Sequence, residues 1–263
     1  MSINTSVDNP NKINKKITDS ISFDFYDHNN SDLVIDAIID AKNYPDAFKK
    51  VQSELDVIFD HYCAVTGNEI VLHPTTEWYF SKVNNRSFQR RIDTGTIPYY
   101  NFQISKNELK SFSKHIKKFS GSQYAYLRLA MKYYRKGKVS DIPEDKLINF
   151  FIALETLYSN SKSEISFRFA MRLALLLGRS SKNRKNIVQK AKKLYDVRSR
   201  IIHGDKFTLT TTSLKEADDW LRKSILSFMA LSAYYGRNEI VTKLDDAMVD
   251  NDLRSELYHK SKF

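Results

Sequence analysis

Seven glycines in 263 residues, each standing alone, constrain this chain more than any other feature. Loops that cradle phosphates need clustered glycines, and no GxGxxG or GxxxxGK[ST] string occurs. The nucleotide-binding α/β folds built on such loops therefore lose their main support. HExxH and GxSxG are absent as well, which removes two common hydrolase signatures. The scattered glycines point to a different architecture. Gly137, Gly178, Gly204 and Gly236 each follow a stretch of helical periodicity, the place where a left-handed cap is needed. Their positions predict helices over 122–136, from just after Pro143 to 158, over 164–177 and over 184–203. A further helix starts at Thr212 or Ser213 and runs to 235, and a weaker one follows from Glu239. Pro143 suits a first helical position, with Ser140 or Asp141 near the start. Glu216 follows Ser213 by three residues, as in a capping box. Long helices joined by short connections pack as antiparallel neighbours. The expected fold is thus mainly α: an antiparallel helical bundle over 111–240, with a C-terminal helical tail over 241–263.

The region ahead of the bundle reads differently. Residues 1–18 are polar, lack the apolar run of a signal peptide, and are expected to be disordered. Residues 19–110 form a small mixed α/β region of unassigned role, a place where a regulatory partner would bind. Alternation over Ser22–Asp27 predicts a strand. Residues 33–62 read as helix divided at Pro45. Further strands rich in aromatic and branched residues are expected at Ile70–Leu72, Trp78–Val83 and Tyr99–Ile104. The boundary with the bundle is expected between 105 and 120.

Cys63 is the only cysteine, so the chain has no internal disulfide and no cysteine-based zinc site, as suits a reducing cytoplasm. His61 lies two residues from it, but no second ligand pair completes a site. The longest tight apolar run, Leu173–Leu177, is far too short to cross a membrane. The charge is unevenly spread. Over Lys106–Arg200 there are 23 basic and 7 acidic residues, a net +16 against +11 for the whole chain. A basic half beside an acidic remainder suggests a polyanionic partner on one face, with a solvated helical surface as the plainer alternative. Tyr124, Tyr126, Tyr133 and Tyr134 interleave with Arg128, Lys132, Arg135 and Lys136, a pattern that would let RNA bases stack among cations.

Two expected helices carry charges in apolar settings. Phe150–Leu157 is apolar nearly all round yet contains Glu155, which must be paired if buried. The next helix holds Arg168 and Arg172 four residues apart, on one face. The simplest account pairs Glu155 with one of those two arginines in the core. In the following helix, Arg198 lies inside the stripe formed by Ile187, Val188, Ala191, Leu194, Tyr195, Ile201 and Ile202. His203 is five residues further on, about 140° round an ideal helix. Asp196, Ser199 and Arg200 lie closer to its side. Gly204 caps this end, where the dipole favours a protonated imidazole. A fixed cation and a group that exchanges protons near neutral pH thus meet at one helix terminus.

The string Leu194-Tyr195-Asp196-Val197-Arg198-Ser199-Arg200-Ile201-Ile202-His203-Gly204 resembles the signature of HEPN domains, particularly the ApeA-like branch. That signature is an Arg, four to six residues, then His at the end of a helix in an all-α bundle. Ala153-Leu154-Glu155 and Phe169–Leu177 look like the two preceding helices. The likeness covers 120–235, about half of the chain. It implies an HEPN-type bundle and a metal-independent endoribonuclease without cofactor that works as a homodimer. Two Arg–His pairs would meet in a cleft between protomers, acting on RNA as a toxin or phage-defence effector in the cytoplasm. Arg198 matches the motif arginine and His203 the motif histidine. Ser199 occupies the polar position after the arginine, where Asn, Asp or His is more characteristic. The residue types suit the chemistry. A His moves protons and an Arg holds phosphoryl oxygens. The products would be a 2′,3′-cyclic phosphate and a 5′-hydroxyl. Asp196 and Asp205 are too few to hold Mg²⁺. The alternatives are a non-catalytic HEPN module that binds nucleotide or RNA and mediates dimerisation, and a helical DNA-binding regulator that uses the basic face.

Overall fold

The computed structural model describes residues 2–4, 20–25, 34–38, 44–67, 75–81, 86–92, 115–159 and 165–262. The chain is mainly helical and divides into two units. One comprises Met1–Asp56 and Ile70–Ile104, the other Val57–Glu69 and Ser105–Phe263. The expected boundary is therefore incomplete, because 57–69 belongs with the helical unit.

In the first unit, strands β1 (Ser2–Asn4), β2 (Ser20–Phe25), β3 (Val34–Ile38), β4 (Thr75–Ser81) and β5 (Arg86–Ile92) form an antiparallel sheet of order β1-β3-β2-β4-β5. β2 and β4 fall where alternation and aromatic residues place strands. Three expectations change. Ser2–Asn4, inside the stretch expected to be disordered, pairs with β3 through Ile3 opposite Ile35, since an open strand edge takes up any extended segment. Val34–Ile38, read as helix, is a strand flanked by β1 and β2. Its run of branched residues suits a sheet as well as a helix. Pro45 does not divide a helix: it stands in the first turn of α1 (Tyr44–Thr66), where its missing N–H costs nothing. The strands expected at Ile70–Leu72 and Tyr99–Ile104 lie outside the described residues.

The helical unit continues from the end of α1 into a short 3-10 turn (Ser122–Tyr124). It then runs through α2 (Ala125–Val139), α3 (Pro143–Tyr158), α4 (Ile165–Leu177), α5 (Ser181–His203), α6 (Thr211–Leu231), α7 (Arg237–Asp246) and α8 (Asn251–Lys260). α5 starts three residues earlier than expected because the Ser180 side chain accepts from the Asn183 N–H at 3.1 Å. Thr210 caps α6 in the same way. Gly137 does not stop α2. It is buried inside the helix against the Phe150 ring, and a Cβ there would lie 2.4 Å from Phe150 Cε1. The glycine is a packing residue that lets α3 approach.

Aromatic rings fill the centre. Tyr158 packs edge-on against Phe169 at 5.9 Å and Phe228 at 5.2 Å, and Phe151 against Tyr195 at 5.7 Å. Each such burial removes about 1.5–3 kcal/mol worth of apolar surface from water. The Tyr158 hydroxyl meets Ser224 Oγ at 2.7 Å, and Ser224 itself donates to the Trp220 carbonyl at 2.7 Å. Tyr158 must therefore be the donor in the first bond.

Candidate functional site

α3 and α5 bring together three polar side chains at the edge of this core. Arg198 Nη2 lies 3.4 Å from Glu155 Oε2. The Arg198 guanidinium also sits over the Tyr195 ring, 5.6 Å from its centroid. Burial, with the Glu155 carboxylate nearby, pushes the Tyr195 phenol up from its ordinary value. Arg198 Nε is buried with no hydrogen-bond partner among the described residues. The side chains of Arg198 and Glu155 remain 21% and 25% exposed, so the pair borders solvent. The fold thus holds the guanidinium in place without saturating its donors.

Glu155 therefore pairs with Arg198, not with Arg168 or Arg172 as expected. Arg172 is 2% exposed and turns toward α7. Its Nε and Nη2 donate to the two carboxylate oxygens of Asp245 at 2.7 and 2.6 Å, and its Nη1 donates to the Tyr158 carbonyl at 2.5 Å. The fork geometry explains the choice, since Asp245 and the helix end satisfy several donors at once. Arg168 is half-buried on α4.

His203 is the last residue of α5 and is exposed. Gly204 follows with φ 74° and ψ 18°, and the N–H groups of Gly204 and Asp205 donate to the carbonyls of Ile201 and Arg200 at 3.3 and 2.9 Å. The expected left-handed glycine cap is therefore present, and His203 is not needed to satisfy the helix end. Ser199 is half-buried. Arg200 Nε donates to Asp196 Oδ2 at 2.8 Å, one turn back on the solvent side. Counting 100° per residue, Arg198 lies on the meridian of the buried Ile187, Ala191 and Leu194, with His203 about 140° away. The two motif residues do not share a helix face. Beside them, Ile202 and Phe207 are 50% and 36% exposed.

The interleaved segment on α2 is largely committed to the fold. Arg128 Nη1 donates to the carbonyls of Phe119, Ser120 and Gly121 at 2.8, 3.0 and 2.7 Å, closing the turn ahead of α2. Arg135 donates to Asp60 at 2.6 Å. Tyr134 is buried and donates to Asp218 at 2.8 Å. Only Lys132 and Lys136 among the four expected RNA-contacting cations are exposed, and Lys136 lies over the Tyr133 ring at 5.1 Å. The alternation of aromatic and basic residues here reflects a helix with one buried face and polar anchors.

Two further features bear on chemistry. His61 is 1% exposed; its Nδ1 donates to the Val57 carbonyl at 2.8 Å, while its Nε2 is buried with no hydrogen-bond partner among the described residues. Burial, with Arg128 and His115 nearby, lowers its pKa below the ordinary 6.5. Among the described residues no three His, Cys, Asp or Glu side chains cluster as a metal site would. No helix there is long and apolar enough to cross a membrane. Tyr195 was legible only as part of the apolar stripe; its place three residues before Arg198 is the signal that it could serve the arginine. No family model, curated protein or solved structure matches the chain.

Proposed function

We propose that this chain is an HEPN-type endoribonuclease that cuts RNA without a metal and works as a homodimer. One observation carries the reading: Glu155 and Tyr195 hold Arg198 at the solvent border of α5, five residues ahead of an exposed His203 at a glycine-capped helix end. His203 takes or delivers the proton, and Arg198 binds the phosphoryl oxygens as charge develops on them. The ribose 2′-oxygen attacks the adjacent phosphorus, and the bond to the 5′-oxygen breaks. The 2′-hydroxyl proton passes to a base and a second proton reaches the leaving oxygen. The products are a 2′,3′-cyclic phosphate and a 5′-hydroxyl.

The divergence of Arg198 and His203 round α5 favours a second copy. Two chains meeting at this helix end would supply two cations and two imidazoles to one phosphate. The half-exposed Ile202 beside the motif is the kind of surface such a contact covers. The setting as a toxin or phage-defence effector, in the cytoplasm, rests on the resemblance of the Leu194–Gly204 string alone.

The test is direct. End-labelled single-stranded RNA is incubated with the purified chain, and light scattering gives the mass in solution. Cleavage to cyclic-phosphate ends that is lost in Arg198→Ala and in His203→Ala, from a dimer, supports the reading. Equal cutting by wild type and His203→Ala overturns it.

A further inference from the structure

We propose that the solvent face of α5 is a track for single-stranded RNA that leads to His203, with Phe167 as the ring on which a base stacks. The direction of the track rests on the ribonuclease reading above; the surface itself does not.

Charge placement comes first. Lys182, Lys185, Lys192, Lys193, Arg200 and His203 are all exposed. On an ideal helix they fall within an arc of about 100° and extend over about 30 Å of axis. Asp196 is the only acidic residue in α5. It sits within the same arc, where it braces Arg200 at 2.8 Å. Lys190 lies outside the arc and pairs with Glu216 on α6. The four ridge lysines form no ion pair among the described residues, so their charge is open to a polyanion. A line of cations at helical spacing tracks a phosphate backbone and carries no base information.

An aromatic beside the ridge decides between single strand and duplex. Phe167, near the start of α4, is 47% exposed. Lys192 Nζ lies 4.9 Å from its ring centroid, which fixes the ring against the middle of the ridge. An exposed Phe flanked by a cation is a platform for an unpaired base, and stacking of this kind tolerates any base. A duplex keeps its bases stacked inside and gains nothing from the ring. RNA is favoured over an anionic membrane because the ridge is a line of cations, and the exposed apolar side chains near it, Phe167 at its middle and Ile202 and Phe207 at its end, are separated and form no broad face. A membrane-surface helix needs a broad apolar face.

The experiment uses the full chain carrying His203→Ala, so that binding is read without cutting. Fluorescence anisotropy is recorded with a single-stranded RNA dodecamer, a trinucleotide, an RNA duplex and phosphatidylserine vesicles, over a salt series. Lys182→Glu with Lys185→Glu places the change at the far end, about 27 Å from His203. It should weaken the dodecamer about tenfold and reduce the salt slope by about 1 to 2, at roughly 0.7 per single-strand phosphate contact. The trinucleotide should be unaffected. Phe167→Ala should weaken the dodecamer about tenfold, in the range of one lost stack, with no change for the duplex. The proposal falls if the distal reversal leaves dodecamer affinity at wild type, or if Phe167→Ala acts equally on strand and duplex. It also falls if vesicles bind as tightly as RNA and lose it in the same variants. If the His203→Ala chain shows these dependences but wild type never cuts, the track stands and the catalytic reading fails. If wild type cuts through His203 while the ridge variants bind normally, the reverse holds.

Discussion

Glu155 Oε2 and Arg198 Nη2 face each other at 3.4 Å between α3 and α5, with the Tyr195 ring lying beneath the guanidinium. Glu155→Gln keeps the shape and removes the charge. Cleavage should fall about tenfold, or 1.4 kcal/mol of transition-state stabilisation, as Arg198 loses its anchor. The melting temperature should hardly move, because a pair this accessible contributes under about 1 kcal/mol. Arg198→Ala should abolish cleavage. Initial rates and thermal melts read both, and a Glu155→Gln chain that cuts at the wild-type rate would remove the positioning role.

His203 is exposed and the helix end is already closed by Gly204. His203→Ala should therefore abolish cleavage while changing stability by less than about 0.5 kcal/mol. Excess EDTA should leave the wild-type rate unaltered, because the proposed proton transfers and charge stabilisation use only Arg and His. Loss of activity in EDTA would sink that mechanism.

His61 gives the bundle a dependence on pH. Its folded pKa lies below the ordinary 6.5, chiefly through burial, so the unfolded chain binds the proton more readily than the folded one. Stability is complete above about 6.5 and declines as pH falls below it, until the folded pKa is passed. Protonation would also place a charge beside Arg128 and His115. Urea melts of wild type and His61→Gln at pH 7.5 and 5 should show a drop in the wild type that is reduced in the variant.

Arg172 is the most buried charge among the described residues, and Asp245 neutralises it with two hydrogen bonds. Asp245→Asn leaves the guanidinium without a counter-charge and should cost about 3 kcal/mol, the lower end for a broken buried pair, since Asp245 is 29% exposed. Arg172→Met in the same chain should recover much of the loss. Denaturant midpoints test both steps.

Gly137→Ala should destabilise despite the better helix propensity of alanine, which alone is worth about 1 kcal/mol. The new Cβ would meet Phe150 Cε1 at 2.4 Å and the Lys146 carbonyl oxygen at 3.2 Å. Overpacking of this kind costs about 1–3 kcal/mol. Pairing it with Phe150→Leu should restore most of the stability, because it opens the space the methyl needs. A Gly137→Ala chain more stable than wild type would show that the ring moves aside freely.

The course of α3 to α6 was legible because their ends are written locally. Pro143 opens one helix, and Gly178 and Gly204 close two others. Gly137 carries the same local signal and misleads, because its reason is the neighbouring Phe150, which no window of sequence contains. Val34–Ile38 failed for a related cause: pairing with β1 and β2 decides a short branched run. Arg198 and His203 could be singled out by their departure from the apolar stripe. The partner of Glu155 could not, since choosing among Arg168, Arg172 and Arg198 depends on how α3, α4 and α5 are rotated against one another. The tyrosines and cations around α2 could not be sorted from sequence, because charge and aromaticity look alike whether they face a polyanion or anchor a helix. Arg128 and Arg135 do the second.

Two arginines from elsewhere in the bundle grip the carbonyl end of α3. Arg237, at the start of α7, donates to Thr156 and Ser159 at 2.9 and 2.5 Å, and Arg172 donates to Tyr158 at 2.5 Å. Asp245, which orients Arg172, is also on α7. The turn being clamped is the one that carries Glu155. Helix α7 therefore works as a buckle for the strap that ends in Arg198. Cutting the chain ahead of Arg237 would release that turn and slacken a side chain far from the cut.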